Sequence, residues 1–318
     1  MHAWNIADKT TMKNTMISFM LWAAVLYLAL ILMTALFQRS LIYFPDTTQP
    51  NLTNAPAGTV PITVETADGL TLHAWWLPPP DGTSENTPPE NTSDNNAAND
   101  AEIIVFFHGN AGNLDHRMPK IHDMAARGYG ILMAEYRGYG INDGKPTEEG
   151  FYHDGRAYMD WLLQDKNIPA DRIVLYGESL GSGTAVQMAT EYDVKALVLD
   201  VPFNSTLALA KMRFPIIIGM DFLMKDQFRN DQKIADIGMP VFIGVAGQDM
   251  VVPPAFGRAL FDAAATPKKL EVYPMAGHVV LNEFGFYDDM DLYLAAIDPD
   301  TAPTQTAQSE TGATTRTD

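Results

Sequence analysis

Along most of its length the chain alternates short apolar runs with longer stretches of mixed character, and the two periods separate strands from helices. Residues 59–67 (TVPITVETA) and 70–78 (LTLHAWWLP) alternate apolar and polar positions around Asp68-Gly69, which predicts an antiparallel pair joined by a tight turn. Six further runs, EIIVFFHG, GILMAEYRG, RIVLYG, KALVLDVP, PVFIGVAGQD and KLEVYPMAG, are apolar almost throughout, as strands buried on both faces of a parallel sheet must be. Between them the period is helical. In TEEGFYHDGRAYMDWLLQDK, residues 147–166, Phe151, Tyr158, Trp161 and Leu162 fall on one side, while Thr147 and Glu148 supply a hydroxyl cap and a first-turn acid. This alternation predicts an α/β fold, a mostly parallel central sheet with helices on both faces.

Two kinds of segment break the pattern. Residues 16–37, MISFMLWAAVLYLALILMTALF, carry no charge and, at about 1.5 Å per residue, can cross a hydrocarbon layer about 30 Å thick. A cleaved signal peptide is the competing reading, but its apolar region usually covers only about 7–15 residues and ends in a small-x-small site. Here the run is longer and leaves through Leu36, Phe37, Gln38 and Arg39. Lys9 and Lys13 precede the span and Arg39 follows it, which places the N-terminus in the cytoplasm and the rest of the chain on the extracytoplasmic side. Residues 78–101 and 298–318 break the pattern the other way: rich in Pro, Asn, Thr and acids, they lack the apolar surface to offset ordering entropy and are expected to be disordered. The expected organisation is therefore an N-terminal tail (1–15), a transmembrane anchor (16–37) and a globular domain (38–297). That domain is interrupted by the 78–101 insertion and by an excursion at 203–239, and a C-terminal tail (298–318) follows it.

Charge and composition narrow the partners. A formal net charge of −18, with no clustered basic face, argues against nucleic acid. The absence of cysteine excludes disulfides and thiol chemistry.

In open α/β sheets function gathers at the carboxyl ends of the strands. RIVLY runs directly into Gly177-Glu178-Ser179-Leu180-Gly181, a G-x-S-x-G pattern that can lift a serine onto a sharp strand-to-helix turn. The plainer reading is a Gly-rich turn that lets a helix pack close to a strand. A nucleophilic serine needs a base and a group to orient that base, in the chain order Ser, acid, His. Of seven histidines only His278 follows Ser179, in a loop after the last expected strand. Asp249, ending PVFIGVAGQD, is the expected acid, although an Asp-x-x-Pro turn also starts helices; Asp200, ending KALVLD, is the alternative. Oxyanion donors are expected from the backbone N–H groups of Leu180 and of Asn110 in HGNAGN, with Ala111 the next choice after Asn110 and His108 a structural residue of that loop.

The stretches FQRSLIYFP, FFHGNAGNLDHR, EYRGYGINDGKPTEEG, YGESLGSGTA, LDVPFNS, GQDMVVP and GHVVLNE, in this order, resemble the α/β-hydrolase superfamily. The closest resemblance is to its membrane-anchored branch, which includes depalmitoylating thioesterases and is similar to serine aminopeptidase-like hydrolases. The resemblance implies the α/β-hydrolase fold with a small cap, Ser179 as nucleophile, Asp249 as acid, His278 as base, and Asn110 and Leu180 as oxyanion donors. Family members commonly carry polar residues after the Gly-His pair, where this chain has Val279 and Val280.

The expected activity is cleavage of carboxylic esters or thioesters through an acyl-enzyme, a route that needs no metal or organic cofactor. A peptidase or amidase, an acyltransferase, and a scaffold that has kept the fold without the activity are the alternatives. In MRFPIIIGMDFLM, residues 212–224, the apolar run is either a core helix or a cap that receives an acyl chain, with Phe222 and Met224 as substrate contacts. An anchor at the bilayer favours lipid-like substrates. Since these residues all follow the span, a chain beginning near Leu41 is expected to fold and to act on short soluble esters.

Overall fold

The strands form where the apolar runs lie. In the computed structural model, which describes residues 4–80, 101–278 and 280–297, eight strands make one sheet. They are β1 (Val60–Glu65), β2 (Thr71–Leu77), β3 (Ile103–Phe107), β4 (Gly130–Ala134), β5 (Ile173–Glu178), β6 (Ala196–Asp200), β7 (Val241–Ala246) and β8 (Lys268–Tyr273). Their order across the sheet is β1-β2-β4-β3-β5-β6-β7-β8. β1 pairs with β2, and β2 with β4, antiparallel; from β4 to β8 every pair is parallel. β3 to β7 are buried at every position. Successive residues serve opposite faces, so Ile103, Val105 and Phe107 join one apolar core and Ile104 and Phe106 the other.

The helices follow in chain order: α1 (Trp4–Ile42), α2 (Met118–Ala126), α3 (Glu148–Asp160), α4 (Gly181–Glu191), α5 (Thr206–Arg213), α6 (Met220–Leu223), α7 (Asn230–Lys233), α8 (Pro254–Ala263) and α9 (Phe286–Ile297). α3, α4 and α8 supply Phe151, Tyr158, Ala185, Met188 and Leu260 to the core on one face of the sheet. α2 and α9 cover the other face with Ile121, Met124, Phe286, Met290 and Leu294. α3 starts as its sequence predicts: the Thr147 hydroxyl accepts from the Gly150 N–H at 2.9 Å, and Phe151, Tyr158 and Leu162 are buried. Trp161 is half-buried and opens a single π turn, Trp161–Asp165.

α1 is longer than the 16–37 span, since residues from Trp4 onward belong to the same helix. Its stretch Thr11–Ile42 contains an unburied 18-residue window with a mean hydropathy of 2.4, so by length and composition it can cross a bilayer. The excursion between β6 and β7 carries α5, α6 and α7. Leu207, Ile217 and Met220 form a small apolar cluster of their own rather than joining either main core, so this part of the excursion is a separate layer and not a core helix. Most of the expected insertion (residues 81–100), the tail 298–318 and Val279 lie outside the described residues.

Candidate active site

The turn after β5 is built by close approach. Ser179 has φ +47°, in the left-handed region that costs a non-glycine residue about 1–3 kcal/mol and persists only where its surroundings enforce it. The surroundings do so through three hydrogen bonds. The Ser179 N–H donates to the Asp200 carbonyl at 2.9 Å, and the Ser179 carbonyl accepts from the Ser182 N–H at 3.0 Å and the Ser182 hydroxyl at 2.6 Å. The flanking glycines are steric necessities. A Cβ on Gly181 would lie 2.0 Å from the Phe107 carbonyl oxygen, and one on Gly177 2.7 Å from the Ser182 Cα. Helix α4 thereby sits against the end of β3, and the serine side chain stands free at the carboxyl end of the sheet.

His278 and Asp249 come to this serine from loops beyond β8 and β7. Ser179 Oγ lies 2.9 Å from His278 Nε2, and His278 Nδ1 lies 2.6 Å from Asp249 Oδ2. Asp249 Oδ1 accepts from the N–H groups of Val251 and Val252, both at 2.8 Å. The carboxylate thus does both things its sequence allowed, shaping the turn before α8 and holding the imidazole. Asp200, the alternative acid, is fully buried and held by other groups: its Oδ2 lies 2.5 Å from Lys120 Nζ and 2.7 Å from the Tyr176 hydroxyl.

The loop after β3 completes the arrangement. His108 is buried between the Gly109 carbonyl (2.8 Å) and Glu135 (2.9 Å) and plays the structural part its position suggested. Asn110 is fixed by its side chain, whose Nδ2 donates to the Ile42 carbonyl. Its Oδ1 accepts from the Phe44 N–H at 3.1 Å and the Tyr139 hydroxyl at 3.0 Å. That leaves its backbone N–H. Among the described residues, neither this N–H nor that of Leu180 donates to another protein group, and both residues border the same cavity as Ser179.

One element of the site was not anticipated. Glu178 and Asp200 end adjacent strands in direct register, two carboxylates side by side in a buried place. Lys120 of α2 lies between them, 2.7 Å from Glu178 and 2.5 Å from Asp200. Burial works against the Lys120 charge, but Asp200 and Glu178 outweigh it and hold the ammonium well above its usual range. Burial likewise opposes ionisation of Glu178, and Lys120 with Arg117 outweighs it, so that carboxyl sits well below its usual range. Glu178 Oε1 also accepts from the Gly109 N–H at 3.1 Å, which fixes the β3 loop to the serine turn. The available signal was the pair of acids closing two otherwise apolar strands.

Above Ser179 lies an apolar cavity of about 290 Å³. Ser179, Leu180 and Asn110 form one end, and Leu209, Ile217, Met220 and Met224 of the excursion line another side. A further wall is α1 itself, through Ile31, Thr34, Ala35, Gln38, Leu41 and Ile42, and Val251 and Val252 of the loop after β7 border the cavity too. A chain starting near Leu41 would lack Ile31, Thr34, Ala35 and Gln38 of this wall, which bears on the cavity and not on the expectation that it folds and acts on short soluble esters. The expectation for Phe222 is corrected. It is 94% exposed and does not line the cavity. α6 is one turn long, so Met220 and Leu223, with Met224 just after it, share the inward side, while Phe222, two positions after Met220, points out. Met224 is in the wall.

Residues 102–217 match the sequence profile described as alpha/beta hydrolase fold. An uncharacterized protein of Mycobacterium tuberculosis (strain H37Rv) is 33% identical over 243 residues, which span 76% of this chain and 80% of that protein. The lysophosphatidylserine lipase ABHD12 of Danio rerio is 31% identical over 187 residues, 53% of this chain and 48% of its own length. Among solved structures, an esterase of Pyrococcus furiosus superposes with a TM-score of 0.60 at 19% identity, over 79% of this chain and 96% of the esterase, a likeness of fold.

Proposed function

The chain belongs to the α/β-hydrolase superfamily, and from that premise we propose that it is a membrane-anchored serine hydrolase cleaving esters or thioesters of lipid-like acyl groups. The observation that carries this reading is the relay Ser179–His278–Asp249, with contacts of 2.9 and 2.6 Å, at one end of an apolar cavity. With its Nδ1–H donated to Asp249, His278 presents the Nε2 lone pair to the serine hydroxyl. As Ser179 Oγ attacks the acyl carbonyl, Nε2 takes its proton and Asp249 stabilises the imidazolium. The oxyanion receives the N–H groups of Asn110 and Leu180. His278 returns the proton to the departing alcohol or thiol. It then deprotonates water, which attacks the acyl-serine, releases the acid and restores Ser179. α1 holds the domain at the bilayer, with the hydrolase domain on the extracytoplasmic side by the charges flanking the span.

Labelling of the full chain by a fluorophosphonate tests the assignment. Adduct at Ser179, absent from Ser179→Ala, is expected, and an unlabelled wild type would remove the serine mechanism and favour a non-catalytic role.

The cavity makes a second prediction. On p-nitrophenyl esters, kcat/KM should rise from acetyl to medium chains, each buried CH₂ contributing up to about 0.8 kcal/mol, or about fourfold, if realised in the transition state. Met224→Ala should flatten the rise and spare acetyl-ester turnover, whereas Phe222→Ala should change neither. A fall in kcat/KM with every added carbon would show that the cavity does not take the acyl chain.

A further inference from the structure

The excursion that lines the cavity has an apolar outer surface as well as an apolar inner one. Ile217 and Met220 face inward, yet Ile216 (65%), Ile218 (75%) and Phe222 (94%) are exposed. No residue from Phe214 to Met220 is charged. Among the described residues nothing covers its outer side, and its attachment shows where it lies. The Tyr27 hydroxyl donates to the Ile216 carbonyl at 2.8 Å and accepts from the Ile218 N–H at 3.2 Å. Further along, Gln38 Nε2 donates to the Leu223 carbonyl at 3.1 Å, and Arg39 pairs with Asp226 at 2.8 Å. The excursion therefore runs beside α1, with its charged end at Arg39 and its apolar end at Tyr27, in the middle of the 16–37 span.

The depth follows from helix geometry. From Arg39 back to Tyr27 is about 18 Å at 1.5 Å per residue, comparable with one leaflet of a hydrocarbon core about 30 Å thick. If α1 crosses the bilayer with Arg39 at the water boundary, Ile216–Ile218 cannot be in water. The ionic groups at the two ends of this apolar run have partners within the protein. Lys211 pairs with Asp221 at 2.6 Å, and the Arg213 guanidinium donates to the Met250 carbonyl at 2.6 Å.

We propose that residues 214–222 insert into one leaflet beside α1, so that the cavity over Ser179 opens within the lipid and takes its acyl chain sideways from that leaflet. The cavity reaches the same depth: its wall includes Ile31, about 12 Å along the helix from Arg39. The proposal rests on the reading of α1 as a membrane span.

Because the sequence contains no cysteine, single-cysteine variants of the full chain place a probe cleanly. Ile218→Cys and Phe222→Cys would carry an environment-sensitive NBD label in phosphatidylcholine vesicles. Leu26→Cys, next to Tyr27 in the middle of the span, serves as the lipid reference, and Asp171→Cys, exposed just before β5, as the aqueous one. The label at 218 is expected to match the one at 26, with blue-shifted emission quenched by lipids bearing a doxyl group on the acyl chain and protected from iodide, and the label at 222, nearer the Arg39 boundary, is expected to be protected from iodide as well. Emission at 218 and 222 that matches position 171, or iodide access at 26 itself, would overturn the insertion. Fluorophosphonate labelling in the same vesicles keeps the two readings apart. Lipid-buried probes with an unreactive Ser179 would sink the chemistry and leave the insertion standing, and iodide-quenched probes with a reactive Ser179 would do the reverse.

Discussion

Ser179→Ala and His278→Ala are each expected to lower kcat on a short p-nitrophenyl ester by about 10⁶-fold, and the double variant is expected to be no worse than either. The reason is geometric. A serine hydroxyl is a weak nucleophile until a base removes its proton in the same step, and His278 Nε2 is the group within reach, at 2.9 Å. Without the base the hydroxyl is inert, and without the hydroxyl the base has nothing to activate, so the two losses do not add. Asp249→Asn should cost about 10⁴-fold, because an amide at Oδ2 favours the tautomer in which Nε2 carries the proton and cannot accept one. Steady-state kinetics on purified variants decide the matter. A Ser179→Ala protein retaining a few per cent of wild-type turnover would mean that another group attacks, and Asp200→Asn proving worse than Asp249→Asn would reassign the acid.

Lys120→Met is expected to cost about 3–5 kcal/mol of stability, the penalty of removing one side of a buried ionic cluster and leaving the rest unpaired. Glu178 and Asp200 would then face each other with Arg117, 3.7 Å from Glu178, the Gly109 N–H and the Tyr176 hydroxyl as partial compensation. The pH dependence has a definite sign. In the wild type the Glu178 pKa is lowered, so its contribution is present above the ordinary carboxylate range and is lost as pH falls through the lowered value. In the variant an uncompensated buried carboxylate has a raised pKa, so protonation relieves it and the deficit should be smaller at pH 5 than at pH 8. Unfolding midpoints of the two proteins at both pH values test this. A loss below about 1 kcal/mol at pH 8 would show that the cluster relaxes or hydrates once the lysine is gone. Since Glu178 also receives the Gly109 N–H, the variant should in addition loosen the spacing between Asn110 and Leu180.

What could be read from the sequence was what local pattern and chain order encode. β3 to β7 stand out because buried parallel strands are short apolar runs, β1 and β2 because they alternate, and the serine turn because Gly177 and Gly181 are demanded by contacts with their immediate neighbours and with β3; β8, expected to be as buried as the others, is instead a half-exposed edge. Once Ser179 is chosen, His278 follows from order, and Asp249 from order together with its place just after the strand β7. The wall of the cavity was not legible, because Tyr27 and Ile216 meet across 189 positions of sequence and no periodicity relates them. Phe222 and Met224 show the same limit at short range. Both are large and apolar, and their opposite placements depend on where a one-turn helix begins. Lys120 was missed because a lysine in an amphipathic helix ordinarily faces water, and only the pairing of β5 with β6 brings two acids to it.

The sheet ends at β8, which is bonded on one side only and half-exposed at every residue except Tyr273. Beyond it, His278 is carried on a loop tied back by the Gly247 N–H to the Tyr273 carbonyl at 2.8 Å and the Gln248 N–H to the Ala276 carbonyl at 2.9 Å. Ser179, by contrast, follows β5 in the middle of the sheet. The two partners of the relay therefore belong to regions of different local stability, and fraying of the edge can withdraw the imidazole while the serine turn stays folded. The free energy that keeps the serine paired with its base is the opening free energy of this margin, which is never larger than that of the whole domain. Thermal inactivation would then begin as a reversible event at the sheet's last strand, ahead of global melting.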